Sequence, residues 1–276
     1  MRLPAREAAV NYTILLVGAV VLALPFYYMT ITSIKTDADI AQPTVQLTVS
    51  HPTLQPYRDL ISGGLVSGAA LNSLIIAAAS TLGNLLLCTL AGYAFAKHRF
   101  PGRDLLFLLL LATMMVPGAV LLVPSFLLFR DLGWLDTWTP LIVPGLAGAF
   151  GVFLARQFIQ RLPDSLVEAA KIEGCGEARI FASIVMPLSR PLLATLGILT
   201  FLGSWNSFLG PLLFLLDEKK FTLPLVITML QGRFPGKDNV QMAGAVVSIL
   251  PVLILFFVFQ KQIVQSLASS GMKEDS

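Results

Sequence analysis

Charge is scarce in this sequence. Only 13% of its 276 residues are Asp, Glu, Lys or Arg, whereas 55% are hydrophobic. Soluble globular domains carry roughly 25% charged residues, so about half of the usual charge is missing. This composition excludes an ordinary soluble domain and predicts an integral membrane protein. The net charge of +3 is too small to indicate a nucleic-acid partner.

Cysteine and histidine are also rare, with two of each. Cys88 and Cys175 cannot build a disulfide framework, so we expect two free thiols. His51 and His98 lie outside the apolar runs, and neither a Ser/His/Asp arrangement nor a metal-ligand cluster can be assembled around them. The nearest match to a phosphate-binding loop, at 232–238, has too few residues between its glycines. We therefore expect no catalytic residue, no metal site and no cofactor bound by this chain.

Long apolar runs dominate the sequence instead. A membrane-spanning helix needs about 20 residues, and six runs reach about that length. The predicted transmembrane helices are 11–34, 69–96, 105–129, 139–158, 191–216 and 239–260. A cleaved signal peptide would have a shorter apolar core, so the first run is predicted to remain as a span. The sequence thus predicts an all-α polytopic membrane protein.

Lys and Arg are unevenly distributed between the two sides of this predicted topology. The side with both termini holds 12 of them, and the other side holds 7. The positive-inside rule therefore puts the termini in the cytoplasm. The predicted cytoplasmic segments are 1–10, 159–190 and 261–276, and the large extracytoplasmic loops are 35–68 and 217–238.

The apolar runs themselves carry no charged residue, when the fourth is counted up to Ala155. Ion-coupled carriers usually hold buried carboxylates or histidines as relays, so a proton-driven carrier is disfavoured. Energy for uphill transport would then have to come from another polypeptide. We expect that polypeptide to act at a cytoplasmic docking surface.

The most polar long segment between apolar runs is 163–191, with the sequence PDSLVEAAKIEGCGEARIFASIVMPLSRP. Ser165 and Glu168 have the spacing of a capping box, so a helix is predicted to begin at Ser165. Gly174 and Gly176 can end it. A second helical pattern follows, with Ile180, Phe181, Ile184 and Val185 as its apolar members. The segment therefore predicts two short helices separated by a glycine break.

This segment resembles the EAA motif of the membrane subunits of prokaryotic ATP-binding-cassette importers, E-A-A-x-x-x-G-x(9)-I-x-L-P. The matching residues are Glu168, Ala169, Ala170, Gly174, Ile184 and Pro187. Met186 stands where the family usually has leucine. Two further stretches, 93–106 and 129–137, are similar to the carbohydrate-importing branch, in the manner of the smaller maltose-type permease subunit.

The resemblance implies a type I importer permease fold with six spans and cytoplasmic termini, in a prokaryotic cytoplasmic membrane. It also implies the partners: a homologous second permease subunit, two ATPase subunits that bind ATP and Mg²⁺, an extracytoplasmic solute-binding protein and a small carbohydrate-like substrate. The six motif residues would couple the chain to the ATPase, with Glu168 pairing with a basic residue there. The tail ends in Glu274, Asp275 and Ser276, which departs from the family pattern.

Four polar or aromatic residues within the runs are candidates for a substrate path. Trp205 and Asn206 fall in the middle of the fifth run, where tryptophan is unusual, so Trp205 is placed to stack on a sugar ring. The alternative is helix packing, with Asn206 as an interhelical hydrogen bonder. The same two interpretations apply to Asn72 and Asn84.

Two other functional hypotheses stay open. The same architecture would serve glycerol 3-phosphate or a phosphodiester if basic residues such as Arg233 or Lys237 faced the outer mouth. A stand-alone carrier or an intramembrane enzyme would work without any ATPase partner.

Overall fold

The computed structural model describes residues 5–44 and 46–271, and all regular structure in these ranges is helical. The α-helices are α1 (Ala5–Thr32), α2 (Asp37–Ile40), α3 (Gln55–Ser62), α4 (Leu65–Lys97), α5 (Arg103–Thr113), α6 (Leu122–Asp131), α7 (Thr139–Ile142), α8 (Ala149–Ile159), α9 (Asp164–Ile172), α10 (Glu177–Ile180), α11 (Met186–Leu188), α12 (Arg190–Trp205), α13 (Leu209–Phe214), α14 (Leu223–Arg233) and α15 (Asp238–Gly271). A π-helix, Phe181–Val185, joins α10 to α11. Short 3₁₀ turns occupy Gly118–Leu121, Val143–Gly145 and Glu218–Lys220.

Between four and six segments can cross a membrane, judged by length and composition. The four candidates without a bend of more than 40° at a break are Val10–Thr32, Leu65–Lys97, Thr139–Ile159 and Asp238–Gln260. Two bent pairs bring the number to six: Arg103–Thr113 with Gly118–Asp131, at 88°, and Glu177–Leu188 with Arg190–Trp205, at 80°. The all-α prediction is confirmed, while the count of six and the side of the termini stay predictions.

The third predicted span is not one helix. α5 ends at Thr113, and Pro117 precedes a 3₁₀ turn with extended backbone angles. Proline lacks the N–H that would continue the helix, and it disfavours helical angles in the residue before it. Pro124 lies in the first turn of α6, where a missing N–H costs nothing. Of the two prolines predicted to lie within one span, Pro117 therefore marks the break.

The chain divides into two compact units. The first runs up to Gly68 and resumes over Val226–Leu250, and the second holds the remaining residues. Within the second unit, α4 and α8 pack closely at Gly92. A Cβ added to Gly92 would lie 2.4 Å from the Cβ of Ala155 and 2.8 Å from the backbone nitrogen of Arg156. Only glycine fits this contact.

A polar junction in the first unit joins the segment after α1 to the start of α15. Lys237 Nζ lies 3.0 Å from Asp37 Oδ2 and 3.7 Å from Asp59 Oδ2. Asn239 Nδ2 donates to Asp37 Oδ1 at 2.9 Å and to the Lys35 carbonyl at 3.0 Å. The Asn239 and Lys237 hydrogen bonds hold the pKa of Asp37 below its usual value. The charge of Lys237 is therefore balanced by carboxylates within this unit.

A second polar junction, in the second unit, centres on Asp136. Its Oδ1 accepts hydrogen bonds from the backbone N–H groups of Leu216 at 3.0 Å and Asp217 at 2.9 Å. Its Oδ2 lies 2.6 Å from Lys220 Nζ. These bonds, the Lys220 one first, lower the pKa of Asp136 to about 2. Asp136 has a positive φ of 56°, which Asp tolerates better than most residues.

Candidate functional site: the segment from α9 to α11

α9 begins one residue earlier than the capping-box spacing predicts, and that prediction is wrong. Its N-cap is Pro163, no side chain caps it, and Ser165 lies inside its first turn. The start is instead held from α4: Lys97 Nζ donates to Asp164 Oδ1 and to the Leu162 carbonyl, both at 2.5 Å. The Lys97 hydrogen bond keeps the pKa of Asp164 below its usual value.

The end of α9 follows the glycine prediction closely. Gly174 has a φ of +82°, a conformation that favours glycine. Its N–H donates to the Lys171 carbonyl at 3.0 Å, and the N–H of Cys175 donates to the Ala170 carbonyl at 2.9 Å. This is the pair of bonds of a Schellman motif. A Cβ at Gly174 would meet nothing within 4 Å, so the backbone angle and not close packing demands glycine.

Glu177, at the start of α10, connects three parts of this region. Its Oε1 lies 2.7 Å from Lys171 Nζ on α9, and its Oε2 accepts a hydrogen bond from Tyr93 Oη on α4 at 2.9 Å. His98 Nε2 lies 3.4 Å from the same oxygen. The Lys171 hydrogen bond, aided by Tyr93, lowers the pKa of Glu177 although partial burial opposes the shift. One carboxylate thus fastens both short helices to the end of α4.

An apolar cluster lies beneath the same segment. Its buried members are Tyr93, Ala155, Ile159, Ala170, Ile180, Phe181, Val185 and Leu192. They come from α4, α8, α9, α10, the π-helix and α12. The segment therefore packs on the second unit as part of its core, and its position is fixed by apolar contacts as well as by ion pairs.

The six residues of the EAA motif divide between two environments. Glu168 and Ala169 are exposed, and Pro187 is exposed beside the π-helix. Ala170 is buried in the apolar cluster, and Ile184 is half-buried against it. Gly174 makes the turn between α9 and α10. The motif thus combines exposed residues with residues that hold the segment in place.

The exposed side of α9 carries apolar side chains. Ile172 is 88% exposed and Leu166 is 42% exposed, with Ala169 between them at three-residue spacing. We call Leu166, Glu168, Ala169 and Ile172 the α9 face. Of the apolar residues Leu166, Ala169, Ala170 and Ile172 of α9, only Ala170 is buried.

The stretch from α10 to the start of α12 contains two prolines, Pro187 and Pro191. Pro187 has no N–H to donate to the carbonyl of Ser183, and the segment Phe181–Val185, which ends two residues before it, is wound as a π-helix. Ser189 then closes α11 by donating its N–H to the Val185 carbonyl at 2.9 Å. The chain bends by 80° between this stretch and α12.

Two of the four substrate-path candidates lie at a helix end. The expectation that Trp205 and Asn206 occupy the middle of a continuous helix is wrong, because α12 ends at Trp205 and Asn206 is its exposed C-cap. Trp205 is 2% exposed and stacks on Phe201, with ring centroids 5.9 Å apart. The indole therefore has no free face here for a sugar ring.

Asn72 and Asn84 are both buried and both hold backbone segments. Asn72 Nδ2 donates to the carbonyls of Lys219 at 2.8 Å and Phe221 at 3.0 Å. Asn84 Nδ2 donates to the Gly145 carbonyl at 2.7 Å, and its Oδ1 accepts from Thr200 Oγ1 at 3.2 Å. This geometry agrees with the packing interpretation, and a role for any of the four residues in a substrate path stays a prediction.

Comparison with known proteins adds the family. A sequence profile described as "Binding-protein-dependent transport system inner membrane component" matches residues 88–269, more than half of the chain. The chain belongs to this family. The matched range contains the whole α9–α11 segment, so the resemblance predicted from the EAA motif is confirmed.

Individual relatives of the family are similar over most of their length. The arabinooligosaccharides transport system permease protein AraQ of Halalkalibacterium halodurans is 38% identical over 202 residues, which cover 73% of this chain and 72% of the relative. The sn-glycerol-3-phosphate transport system permease protein UgpE of Brucella abortus is 30% identical over 270 residues, covering 95% and 96%. A chain in the crystal structure of a bacterial ABC transporter that imports the acidic polysaccharide alginate matches with a TM-score of 0.84 and 25% identity, covering 95% and 99%.

Several contacts that hold the α9–α11 segment in place cannot be predicted from the sequence. Lys97, Asp164, Tyr93 and Glu177 join α4 to the α9–α11 segment, although up to 84 residues separate the partners along the chain. The available signal is the stretch YAFAKH at the end of α4, where Tyr93 and Lys97 are four residues apart and His98 follows directly. It indicates one polar face but not the partner of that face.

Proposed function

We propose that this chain is the membrane subunit of an ATP-driven importer of a sugar or oligosaccharide, and that α9 docks on an ATPase subunit. The observation that supports docking is the exposure of Ile172, which is 88% exposed. Apolar side chains on a short polar segment are expected to meet a partner. Glu168, beside them on the α9 face, supplies a charge for a basic residue of that partner.

The contacts behind the α9 face support a mechanical role. A force on α9 reaches α4 through Lys97–Asp164 and through the Lys171–Glu177–Tyr93 chain, and it reaches α8 and α12 through the apolar cluster. A rigid helix held at both ends transmits displacement better than a mobile loop. ATP binding by the partner would draw the docked segments together, and hydrolysis would release them.

The proposed assembly follows from the family. It contains this chain, a homologous second permease subunit, two ATPase subunits that hold ATP and Mg²⁺, and an extracytoplasmic solute-binding protein. The chain would lie in the cytoplasmic membrane with six spans and with both termini and α9 in the cytoplasm, as the distribution of Lys and Arg supports. Alternating access between the paired subunits would carry the substrate inward.

Glycerol 3-phosphate is the second candidate substrate, because UgpE relatives match nearly the whole chain. An anion would need a free cation at the outer mouth. Lys237 is already paired with Asp37 and Asp59, which favours a neutral sugar over a phosphate.

Replacing Ile172 by aspartate tests the docking role. We expect Ile172→Asp to reduce co-purification of the ATPase subunits at least tenfold, because a charge would be desolvated in an apolar contact. Leu132→Asp is a matched control, since Leu132 is also exposed, at 51%, but lies after α6 in a predicted extracytoplasmic loop. Equal co-purification for both variants and the wild type would refute docking through this face.

A further inference from the structure

A cavity of about 220 Å³ lies in the second unit, away from the α9–α11 segment. It is bounded by the middle of α4, the end of α12, α13 and the loop before α14. Half of its ten lining residues carry a hydroxyl group: Ser80, Thr200, Ser204, Ser207 and Thr222. None of the lining residues is charged.

Two of these hydroxyl groups are buried without a hydrogen-bond partner. Ser80 Oγ and Thr222 Oγ1 have no partner among the residues that the structure describes, and each residue is only 4% exposed. A buried serine or threonine in a helix normally donates to the carbonyl one turn earlier, which Ser80 does not do. Thr200, on the same cavity wall, does have a partner in Asn84. Leaving donors unpaired costs stability, and a ligand that supplies partners removes this cost.

The cavity connects the centre of a span with the predicted outer side. Ser80 lies 15 residues from one end of α4 and 17 from the other. Thr222 immediately precedes α14, in the segment predicted to be extracytoplasmic. A solute delivered from outside would therefore reach Thr222 before Ser80.

We propose that this cavity binds one uncharged sugar ring of the transported solute, with Ser80 and Thr222 as hydrogen-bonding residues. The proposal rests on the function proposed above and specifies its substrate class. Sugar hydroxyls both donate and accept, as serine and threonine hydroxyls do, so they satisfy both groups. A phosphate would need lysine or arginine, which this lining lacks. The volume is below the roughly 300–1,000 Å³ of pockets for drug-sized ligands, which fits a single ring.

The first test uses uptake by the complete importer. Thr222→Val and Ser80→Ala remove the hydroxyls with little change of shape. A packing role predicts neutral or stabilising effects, because an unpaired polar group disappears. The binding role predicts that the KM for arabinotriose rises about two- to tenfold for each variant, the equivalent of one neutral hydrogen bond.

Thr89→Val is the matched control for uptake. Thr89 lies on the same helix, is 0% exposed, has a hydroxyl without a partner and does not line the cavity. We expect its KM to equal the wild-type value. Uptake with unchanged KM in all three variants would overturn the cavity proposal while leaving the importer assignment intact.

The second test needs no transport and therefore separates the two proposals. Thr222→Cys is placed in a Cys175→Ser background, and Cys88 stays because it is 0% exposed. The thiol introduced at position 222 reacts with methyl methanethiosulfonate to form a methyl disulfide and release methanesulfinate, and mass spectrometry on the purified full chain follows this reaction. We expect L-arabinose, arabinotriose or maltose to slow it at least threefold and sn-glycerol 3-phosphate to leave it unchanged.

Two results of this thiol-modification test would contradict the cavity proposal. Protection by sn-glycerol 3-phosphate alone would refute a neutral sugar as the substrate class. If none of the three sugars protects the thiol, the unpaired hydroxyl groups of the cavity are a packing defect and not a binding site. Failure of the chain to associate with an ATPase would instead count against the importer function, whatever the result of the thiol-modification test.

Discussion

Replacing Gly174 by alanine separates backbone conformation from close packing at the turn between α9 and α10. Gly174 has a φ of +82°, and an added Cβ would meet nothing within 4 Å. Steric overlap is therefore absent, and the cost comes from the left-handed backbone, about 1–2 kcal/mol for a residue other than glycine. Reduced freedom of the unfolded chain returns about 0.4–1 kcal/mol.

The net destabilisation expected for Gly174→Ala is therefore about 1 kcal/mol. The Schellman bonds close only α9. We therefore expect Gly174→Ala to lower the free energy of local opening of α9 rather than that of global unfolding. Amide hydrogen exchange over 164–172 should accelerate about fivefold, since 1.4 kcal/mol corresponds to tenfold. Gly174→Asn should cost less, because Asn tolerates this region, and Gly174→Val should cost more.

Gly176 provides the control for this prediction. It has a φ of −70° and, like Gly174, open space around the position of a Cβ. Gly176→Ala should leave exchange over α9 unchanged within a factor of two. Equal exchange in Gly174→Ala and Gly176→Ala would refute the argument from backbone angle.

Two further predictions concern the polar junctions. Glu177→Ala leaves the buried Tyr93 hydroxyl without its acceptor and should cost about 1–3 kcal/mol; Glu177→Gln keeps an acceptor and loses only an exposed ion pair with Lys171, worth about 0.2–1 kcal/mol. Thermal unfolding of the purified chain measures the difference, and equal losses would contradict the role of Tyr93. Because the folded-state pKa of Asp136 is about 2 against an ordinary 3.8, its carboxylate should stabilise its loop fully above about pH 4 and lose that effect as the pH falls through 2. Protease cleavage at 132–138 should therefore rise with acid in the wild type more than in Asp136→Asn, and parallel profiles would refute this.

Local and compositional features of the fold could be predicted from the sequence. The helical class follows from apolar runs of spanning length, and the turn at Gly174 follows from glycine chemistry. The break at Pro117 follows from the missing N–H of proline, but a run of continuous apolar residues conceals it. Hydropathy indicates which residues are buried away from water, whereas a proline indicates where a helical backbone hydrogen bond is missing.

Contacts between distant segments could not be predicted in this way. Ser165 and Glu168 have the right spacing for a capping box, yet Lys97 on α4 holds Asp164 and moves the helix start by one residue. Trp205 appears suited to a sugar because its depth in the membrane is unusual, but Phe201 one turn earlier occupies its face. In both cases a contact with another residue in the folded chain, Lys97 or Phe201, determines the structure, and the spacing of residues along the sequence does not show that contact.

The most direct test of the account asks what touches the α9 face in the assembled particle. A photoreactive benzoylphenylalanine at position 172, incorporated in the complete importer, replaces a side chain that is 88% exposed in the chain alone. Irradiation should give a covalent product with an ATPase subunit, identified by mass spectrometry. Products only with lipid or with the extracytoplasmic solute-binding protein would contradict the claim that this chain receives its driving force through α9.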